Sequence, residues 1–338
     1  DRPAGGTAEG GGGKDPARGR RPAGGRGGEP KFGPARARAL LGRAAPPCCK
    51  KRAMSDLPQP PLKLAGVMGY PIAHSRSPRL HGHWLARYGI AGAYLPLLVA
   101  PDDLGRALEG LRALNFRGCN VTLPLKEKAL ALVDRVEPLA RRIGAVNTVT
   151  VDRDGALVGT NTDTFGFLEN LRAALPGWSA AAGPAVVLGA GGAARAVVAA
   201  LIDAGAGEIR LANRSLERAQ ALEAAFGAAV RVVPWRERAQ ALDGAALLVN
   251  TTALGMAGSD ELEIALDALP RAAAVNDIVY APLMTALLQR ARARGNAVVD
   301  GLGMLLHQAR PGFEAWFGVA PEVDARLRRH VAADLIFD

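Results

Sequence analysis

Short apolar runs alternate with amphipathic stretches along most of this chain. From Leu62 onward, the runs 63–69, 93–99, 116–121 and 146–151 predict strands. The helical spacing of apolar positions over 77–88, 102–113, 125–133 and 136–142 predicts helices between them. A second series starts at 185. Its expected strands are 185–188, 208–212, 246–249, 273–276 and 297–299, and its expected helices are 192–204, 215–226 and 282–294. Two further helices, 303–317 and about 322–335, have no strand of their own and are expected to pack back on the first series. Strand–helix alternation builds βαβ units with parallel or mixed sheets. The pattern therefore predicts two α/β domains joined near helix 164–175.

Composition changes the picture only at the N-terminus. The net charge of +10 suggests an acidic partner such as nucleic acid. However, residues 1–53 carry 13 Lys/Arg against 4 Asp/Glu, and the remainder carries 29 against 28. The basicity belongs to a tail with 13 Gly, 7 Pro, no Ser and one aromatic, Phe32. Such a segment buries too little apolar surface to offset its ordering entropy and is expected to be disordered. It lacks the apolar run of a secretory signal and the serines of a mitochondrial transit peptide. Met54 just precedes the first patterned segment, so the expected reading of 1–53 is upstream sequence translated ahead of the real start. A nucleic-acid-binding arm is the alternative. Cys48 and Cys49 lie in the tail and Cys119 in an apolar run, with no disulfide or zinc spacing, as suits a reducing cytoplasm. No uncharged apolar stretch is long enough for a membrane span.

The sharpest local signal is Ala185-Val186-Val187-Leu188 followed by Gly189-Ala190-Gly191-Gly192-Ala193-Ala194 and an apolar helix. In a strand–turn–helix of this kind the first glycine permits the tight turn. The second lets the backbone approach a pyrophosphate, and small residues then let helix and strand pack closely. The free N–H groups and dipole of the helix N-terminus favour phosphate. The second domain is thus expected to be a Rossmann-type dinucleotide-binding domain. At the end of its second strand an NAD site would place an acidic residue against the ribose. This chain has Asn213-Arg214-Ser215, with Arg218 one turn later. Arginines there would welcome a 2′-phosphate, so NADP is the expected cofactor.

Polar residues in the first domain gather at strand ends: 69–78, 120–126, 144–148 and 161–164. Ligands of open α/β sheets bind beyond the strand carboxyl ends, so these segments are expected to face one cleft. Together with 189–193, 213–215, 276–282 and 300–308, they closely resemble shikimate dehydrogenase over roughly 62–335. The resemblance implies reversible NADPH-dependent reduction of 3-dehydroshikimate to shikimate, a step of chorismate and aromatic amino acid biosynthesis. It implies a division into 54–163, completed by 303–338, for substrate and catalysis, and 164–302 for NADP.

Position by position, the resemblance implies that Lys126 and Asp163 are the catalytic pair. An ammonium beside a carbonyl that receives hydride can protonate the developing alkoxide, and a carboxylate within reach would orient it. Ser75 and Ser77 resemble the pair that binds the substrate carboxylate, and Ser77, ahead of Pro78, also reads as a helix N-cap. Thr122, Asn147 and Gln308 resemble contacts to the ring hydroxyls, and Tyr280 a further substrate contact. Gly189, Ala190, Gly191, Gly192, Ala193, Asn213, Arg214, Ser215 and Arg218 are the implied cofactor residues. Ile278 and Gly301 are implied backbone contacts near the nicotinamide, and 250–256 an adjoining wall. No metal site is expected. A small-molecule substrate, no nucleic-acid or membrane partner, and a monomer or homodimer complete the expectations. The rival readings are a quinate/shikimate dehydrogenase paralogue, often NAD-dependent, and a catalytically silent NADP-binding sensor.

Overall fold

A computed structural model describes residues 62–335; the expectations for the tail, including Cys48, Cys49 and Met54, lie outside the described residues. The fold has two α/β lobes. The first holds β1 (Lys63–Gly69), α1 (Ser77–Arg87), β2 (Gly92–Leu98), α2 (Leu104–Ala113), β3 (Phe116–Val121), α3 (Lys126–Ala129), β4 (Arg135–Val136), α4 (Pro138–Ile143), β5 (Thr148–Val151) and β6 (Leu157–Thr160). Its sheet runs β2-β1-β3-β5-β6-β4 and is mixed. β1 pairs in parallel with β2 and β3, whereas β5 pairs antiparallel with both β3 and β6.

Helix α5 (Asp163–Ala174) leads to the second lobe. There β7 (Ala185–Leu188), α6 (Gly192–Asp203), β8 (Ile209–Asn213), α7 (Leu216–Phe226), β9 (Val230–Pro234), β10 (Leu247–Asn250), β11 (Ala274–Asp277), α8 (Ala286–Ala293) and β12 (Ala297–Val299) follow in turn. The sheet order β12-β11-β10-β7-β8-β9 is parallel throughout. The order reverses between β7 and β10, which opens a crevice at their carboxyl ends, where nucleotides bind in doubly wound sheets. Val186, Val187, Leu188, Leu248 and Val249 are fully buried, as expected of a parallel sheet covered on both faces.

Helix α9 (Leu302–Phe317) and helix α10 (Ala325–Ala332) return to the first lobe. Leu306, Phe313, Trp316 and Phe317 of α9 share one core with Ala65, Leu80 and Trp84. Trp316 Nε1 donates to the Val149 carbonyl at 3.1 Å. Helix α10 is held on α1 by ion pairs of Arg87 with Asp324 and Glu322.

Several boundaries differ from the pattern-based expectation. β4, β6 and β9 have no expected counterpart; each is short, and β4 and β9 are sheet edges carrying arginine. The helix expected over 125–133 shrinks to Lys126–Ala129. The helix expected from 282 starts at Ala286, where the Thr285 hydroxyl accepts from Leu288 N–H and caps it. The N-cap role expected of Ser77 is corrected as well. Ser77 is the first residue of α1, the N-cap position is Arg76 without a side-chain cap, and the Ser77 N–H donates to Ser75 Oγ at 3.3 Å.

Candidate active site between the two lobes

Lys126 opens α3 just after the β3 loop, and Asp163 opens α5 just after β6. The two helix starts meet at the carboxyl edge of the first sheet. Lys126 Nζ donates to Asp163 Oδ2 at 2.5 Å, with side chains 16% and 8% exposed. Asn147, entering β5, donates from Nδ2 to Asp163 Oδ1 at 2.8 Å, so each carboxylate oxygen has its own donor. Asn147 Oδ1 accepts from Thr162 N–H at 2.8 Å, and its Nδ2 also lies 3.5 Å from Gln308 Oε1. Lys126, Asp163, Asn147 and Gln308 are therefore one connected group. The amide of Asn147 is engaged by protein on both atoms, which makes it a holder of Asp163.

Ser75, Ser77, Thr122 and Tyr280 make no hydrogen bond to that group among the described residues. Thr122 follows β3, and a β-carbon on Gly69 would stand 2.6 Å from its Cγ2, so the ends of β1 and β3 are pressed together. Ser77 is buried beside Tyr94. Tyr280 extends from the second lobe onto the core shared by α1 and α9, and burial pushes its phenol up, against the opposing influence of Arg76.

The glycine turn stands directly opposite. Gly189 has φ +111°, and a β-carbon there would lie 2.5 Å from Thr251 Oγ1, so no other residue fits. Thr251 itself donates to Leu188 O at 2.6 Å, which places the start of segment 250–256 beneath the turn. Gly191 opens onto space free of protein within 4 Å, and no side chain caps the N-terminus of α6. A bare helix N-terminus with open space in front of it fits a phosphate. Gly192 faces Lys126: a β-carbon there would be 3.9 Å from Lys126 Cδ. Ile278 and Gly301 pack backbone to backbone, since a β-carbon on Gly301 would lie 2.1 Å from the Ile278 carbonyl oxygen.

At the outer end of the crevice, Arg214, Ser215 and Arg218 are exposed. The Ser215 hydroxyl caps α7 by accepting from Arg218 N–H, and Asn213 Nδ2 braces the turn by donating to Ser215 O. Two cavities border them. One, of about 130 Å³, is lined by Glu127, Ala190, Arg195 and Arg218 among others. The other, of about 450 Å³, is lined by Arg214, Trp235, Arg238, Leu254 and three acidic residues.

Asp277 is a buried anchor at the start of the loop that carries Ile278. Its carboxylate accepts from Asn250 Nδ2 at 2.9 Å, Val279 N–H at 3.0 Å and Thr285 Oγ1 at 2.7 Å. Burial pushes it up to about 6, against those three hydrogen bonds. Asp277, Arg195 and the buried residues Asn120, Thr148 and Thr162 were not singled out by sequence pattern. All of these except Arg195 lie in the segments 120–126, 144–148, 161–164 and 276–282, and their polarity there is the available signal.

Among the described residues no cluster of three metal-ligating side chains occurs, and no helix is long and apolar enough to cross a membrane.

Comparison with known proteins agrees along the chain. Residues 67–149 match the shikimate dehydrogenase substrate binding domain, 176–279 the shikimate / quinate 5-dehydrogenase model, and 301–325 the shikimate 5'-dehydrogenase C-terminal domain. A shikimate dehydrogenase (NADP(+)) of Paramagnetospirillum magneticum is 62% identical over 269 residues, 80% of this chain and 98% of that protein. The shikimate 5-dehydrogenase of Thermus thermophilus, solved with NADP(H) and shikimate, is 42% identical with a TM-score of 0.72, covering 81% of this chain and all of that one. The quinate dehydrogenase of Corynebacterium glutamicum, solved with NAD, is 33% identical with a TM-score of 0.74, covering 80% and 99%. Identity of this extent over the full length of such relatives, on a fold that brings Lys126 and Asp163 up to the glycine turn, places the chain in the shikimate dehydrogenase family.

Proposed function

We propose that this protein catalyses the reversible NADPH-dependent reduction of 3-dehydroshikimate to shikimate in the cleft between its lobes. The observation that carries this reading is the Lys126–Asp163 pair facing Gly192 at the mouth of the cofactor crevice. When bound, NADPH supplies the hydride. Lys126 supplies the proton: its ammonium donates to the oxygen of the ring ketone as charge develops there, and in the oxidation direction the neutral amine takes the hydroxyl proton back. Asp163 holds the ammonium in place and is itself held by Asn147. Ser75 and Ser77 would bind the substrate carboxylate, and Thr122, Asn147, Gln308 and Tyr280 the rest of the ring. Mixed donors and acceptors suit a polyhydroxylated ligand.

The cofactor residues of this proposal are Gly189 to Ala193 for the pyrophosphate, and Asn213, Arg214, Ser215 and Arg218 for the 2′-phosphate. Ile278 and Gly301 would flank the nicotinamide. The proposed division is 54–163 with 303–338 for substrate and 164–302 for NADP. A cytoplasmic monomer or homodimer belongs to the same proposal.

Quinate with NAD is the second reading, favoured by the structural similarity to the NAD-bound quinate dehydrogenase. Exposed Arg214 and Arg218, with no carboxylate at 213–215, speak for a phosphorylated ribose instead. Absorbance at 340 nm tests both. The expected kcat/KM with shikimate and NADP exceeds that of every other pairing of shikimate or quinate with NADP or NAD by at least about tenfold, roughly 1.4 kcal/mol of transition-state binding. Equal or greater efficiency with quinate and NAD would replace the proposal. No turnover with any pair would leave a silent binding protein.

A further inference from the structure

A row of buried polar residues extends from the catalytic pair toward the outer strand of the first sheet. Asp163 Oδ1 accepts from Asn147 Nδ2 at 2.8 Å. Asn147 Oδ1 accepts from Thr148 Oγ1 at 2.9 Å. Thr148 Oγ1 in turn accepts from Asn120 Nδ2 at 3.0 Å, and Asn120 Oδ1 from Tyr94 Oη at 2.6 Å. Both amide orientations are dictated by backbone groups. Asn147 Oδ1 faces the N–H of Thr162, which can only donate, and Asn120 Nδ2 faces the carbonyl of Asn147, which can only accept. The donors therefore all point one way, from the Tyr94 hydroxyl to the Asp163 carboxylate.

We infer that Tyr94 is a positioning residue for the Lys126–Asp163 pair, acting through Asn120, Thr148 and Asn147. The inference rests on the catalytic reading of that pair. A chain of aligned donors ending on an anion is mutually polarising and holds its members to one geometry. Two of its links are amides, which do not pass protons on, so the chain fixes position and carries no proton. Tyr94 suits the far end. Its ring stacks on His81 with centroids 3.9 Å apart and planes 4° from parallel. Burial raises its phenol well above the ordinary range, which keeps the donor proton in place. Tyr94 touches neither Lys126 nor Asp163. Its hydroxyl anchors the Asn120 amide in the orientation the Asn147 carbonyl dictates, and through Asn120 and Thr148 it steadies the amide that holds Asp163 Oδ1. Small losses of alignment at a proton donor are costly, about a hundredfold for a displacement on the order of 1 Å.

The test uses Tyr94→Phe, Thr148→Val and Thr148→Ser in the full chain, assayed with shikimate and NADP beside the wild type. Removing either hydroxyl is expected to lower kcat about tenfold while both KM values stay within about twofold. Thr148→Ser, which restores the hydroxyl, is expected to return kcat to within about twofold of wild type. Thr148→Val decides the matter if Tyr94→Phe does not fold. Wild-type kcat in the folded hydroxyl-less variants would overturn the inference, as would a loss carried in KM alone or a loss that Thr148→Ser shares in full. An inactive wild type would instead reject the proposed function itself, so the two failures are distinguishable.

Discussion

Lys126 and Gly192 face each other across the lobe boundary at van der Waals distance, a β-carbon on Gly192 falling 3.9 Å from Lys126 Cδ. The proposed proton donor and the helix that follows the glycine turn are thus neighbours. Two consequences can be separated by measurement. Lys126→Ala removes the proposed proton donor but leaves the glycine turn intact. Its kcat should fall by about a thousandfold or more, within the range general acid–base catalysis supplies, while the Kd for NADP stays within about threefold. Asp163→Asn leaves the ammonium without its anion and should cost less, about tenfold to a hundredfold in kcat. Full activity of Lys126→Ala, measured by NADPH formation, would remove this lysine from the mechanism.

Arg214 and Arg218 are exposed side chains that make no side-chain hydrogen bond to protein among the described residues, and both line cavities at the outer end of the crevice. Charges so placed contribute little to stability and are available to a ligand. Arg214→Ala and Arg218→Ala should each raise the Kd for NADP about tenfold, the order of one lost charge-assisted contact. Binding of NAD should be nearly unchanged. The loss should shrink as salt rises, since screening weakens the interaction in the parent protein. Equal loss of NAD and NADP affinity would mean that these arginines recognise something other than the 2′-phosphate.

The legible and the hidden parts of this fold differ in physical origin. The glycine turn, its flanking strand and helix, and the polar strand ends are local signals. Their spacing and residue types already carry the turn and the crevice, whereas the lysine–aspartate pair is implied by the family resemblance. β9 was hidden because Val230-Arg231-Val232-Val233-Pro234 is short and carries a charge and a proline. Such a stretch becomes a strand only through its pairing with β8. The helix expected over 125–133 failed for the converse reason: Arg135–Val136, just beyond it, is drawn into the sheet beside β6. Tyr94 had no signal at all. Nothing in Gly92–Leu98 distinguishes it from a core aromatic, and its role depends on Asn120, 26 residues later.

Helices α5 and α9 cross with no side chain between them at two points. A β-carbon on Gly166 would stand 2.5 Å from Gln308 Cβ and 2.7 Å from the Met304 carbonyl. One on Gly303 would fall 1.8 Å from Asn170 Oδ1. Gly166→Ala therefore cannot be absorbed by a rotamer change and must separate the helices. Since α5 starts with Asp163 and α9 carries Gln308, the separation reaches the site. The expected outcome is a loss of about 1–3 kcal/mol, as for overpacking elsewhere, together with a raised KM for shikimate. Thermal unfolding and steady-state kinetics check the two parts. An unchanged Tm would mean that the helices are less tightly apposed than the distances state.

His81 should govern part of the acid sensitivity of the first lobe. It is fully buried, stacked on Tyr94, with neither ring nitrogen hydrogen-bonded among the described residues. Burial lowers it from 6.5 to about 3. Between those values the unfolded chain binds a proton that the folded chain refuses, so the stability present above pH 6.5 is lost progressively as pH falls toward 3. By pH 5 the loss is on the order of 2 kcal/mol. Asp277 acts in the opposite sense. Raised from 3.8 to about 6, it takes up a proton in the folded state first and adds stability as pH falls from 6 to 3.8. His81→Phe keeps a ring against Tyr94 and removes the titrating group. Its Tm relative to wild type should therefore be more favourable at pH 5 than at pH 8, whatever the absolute effect of the larger ring. The same Tm difference at both pH values would show that His81 takes up its proton without cost in the folded protein, and the acid limb would then have to arise elsewhere.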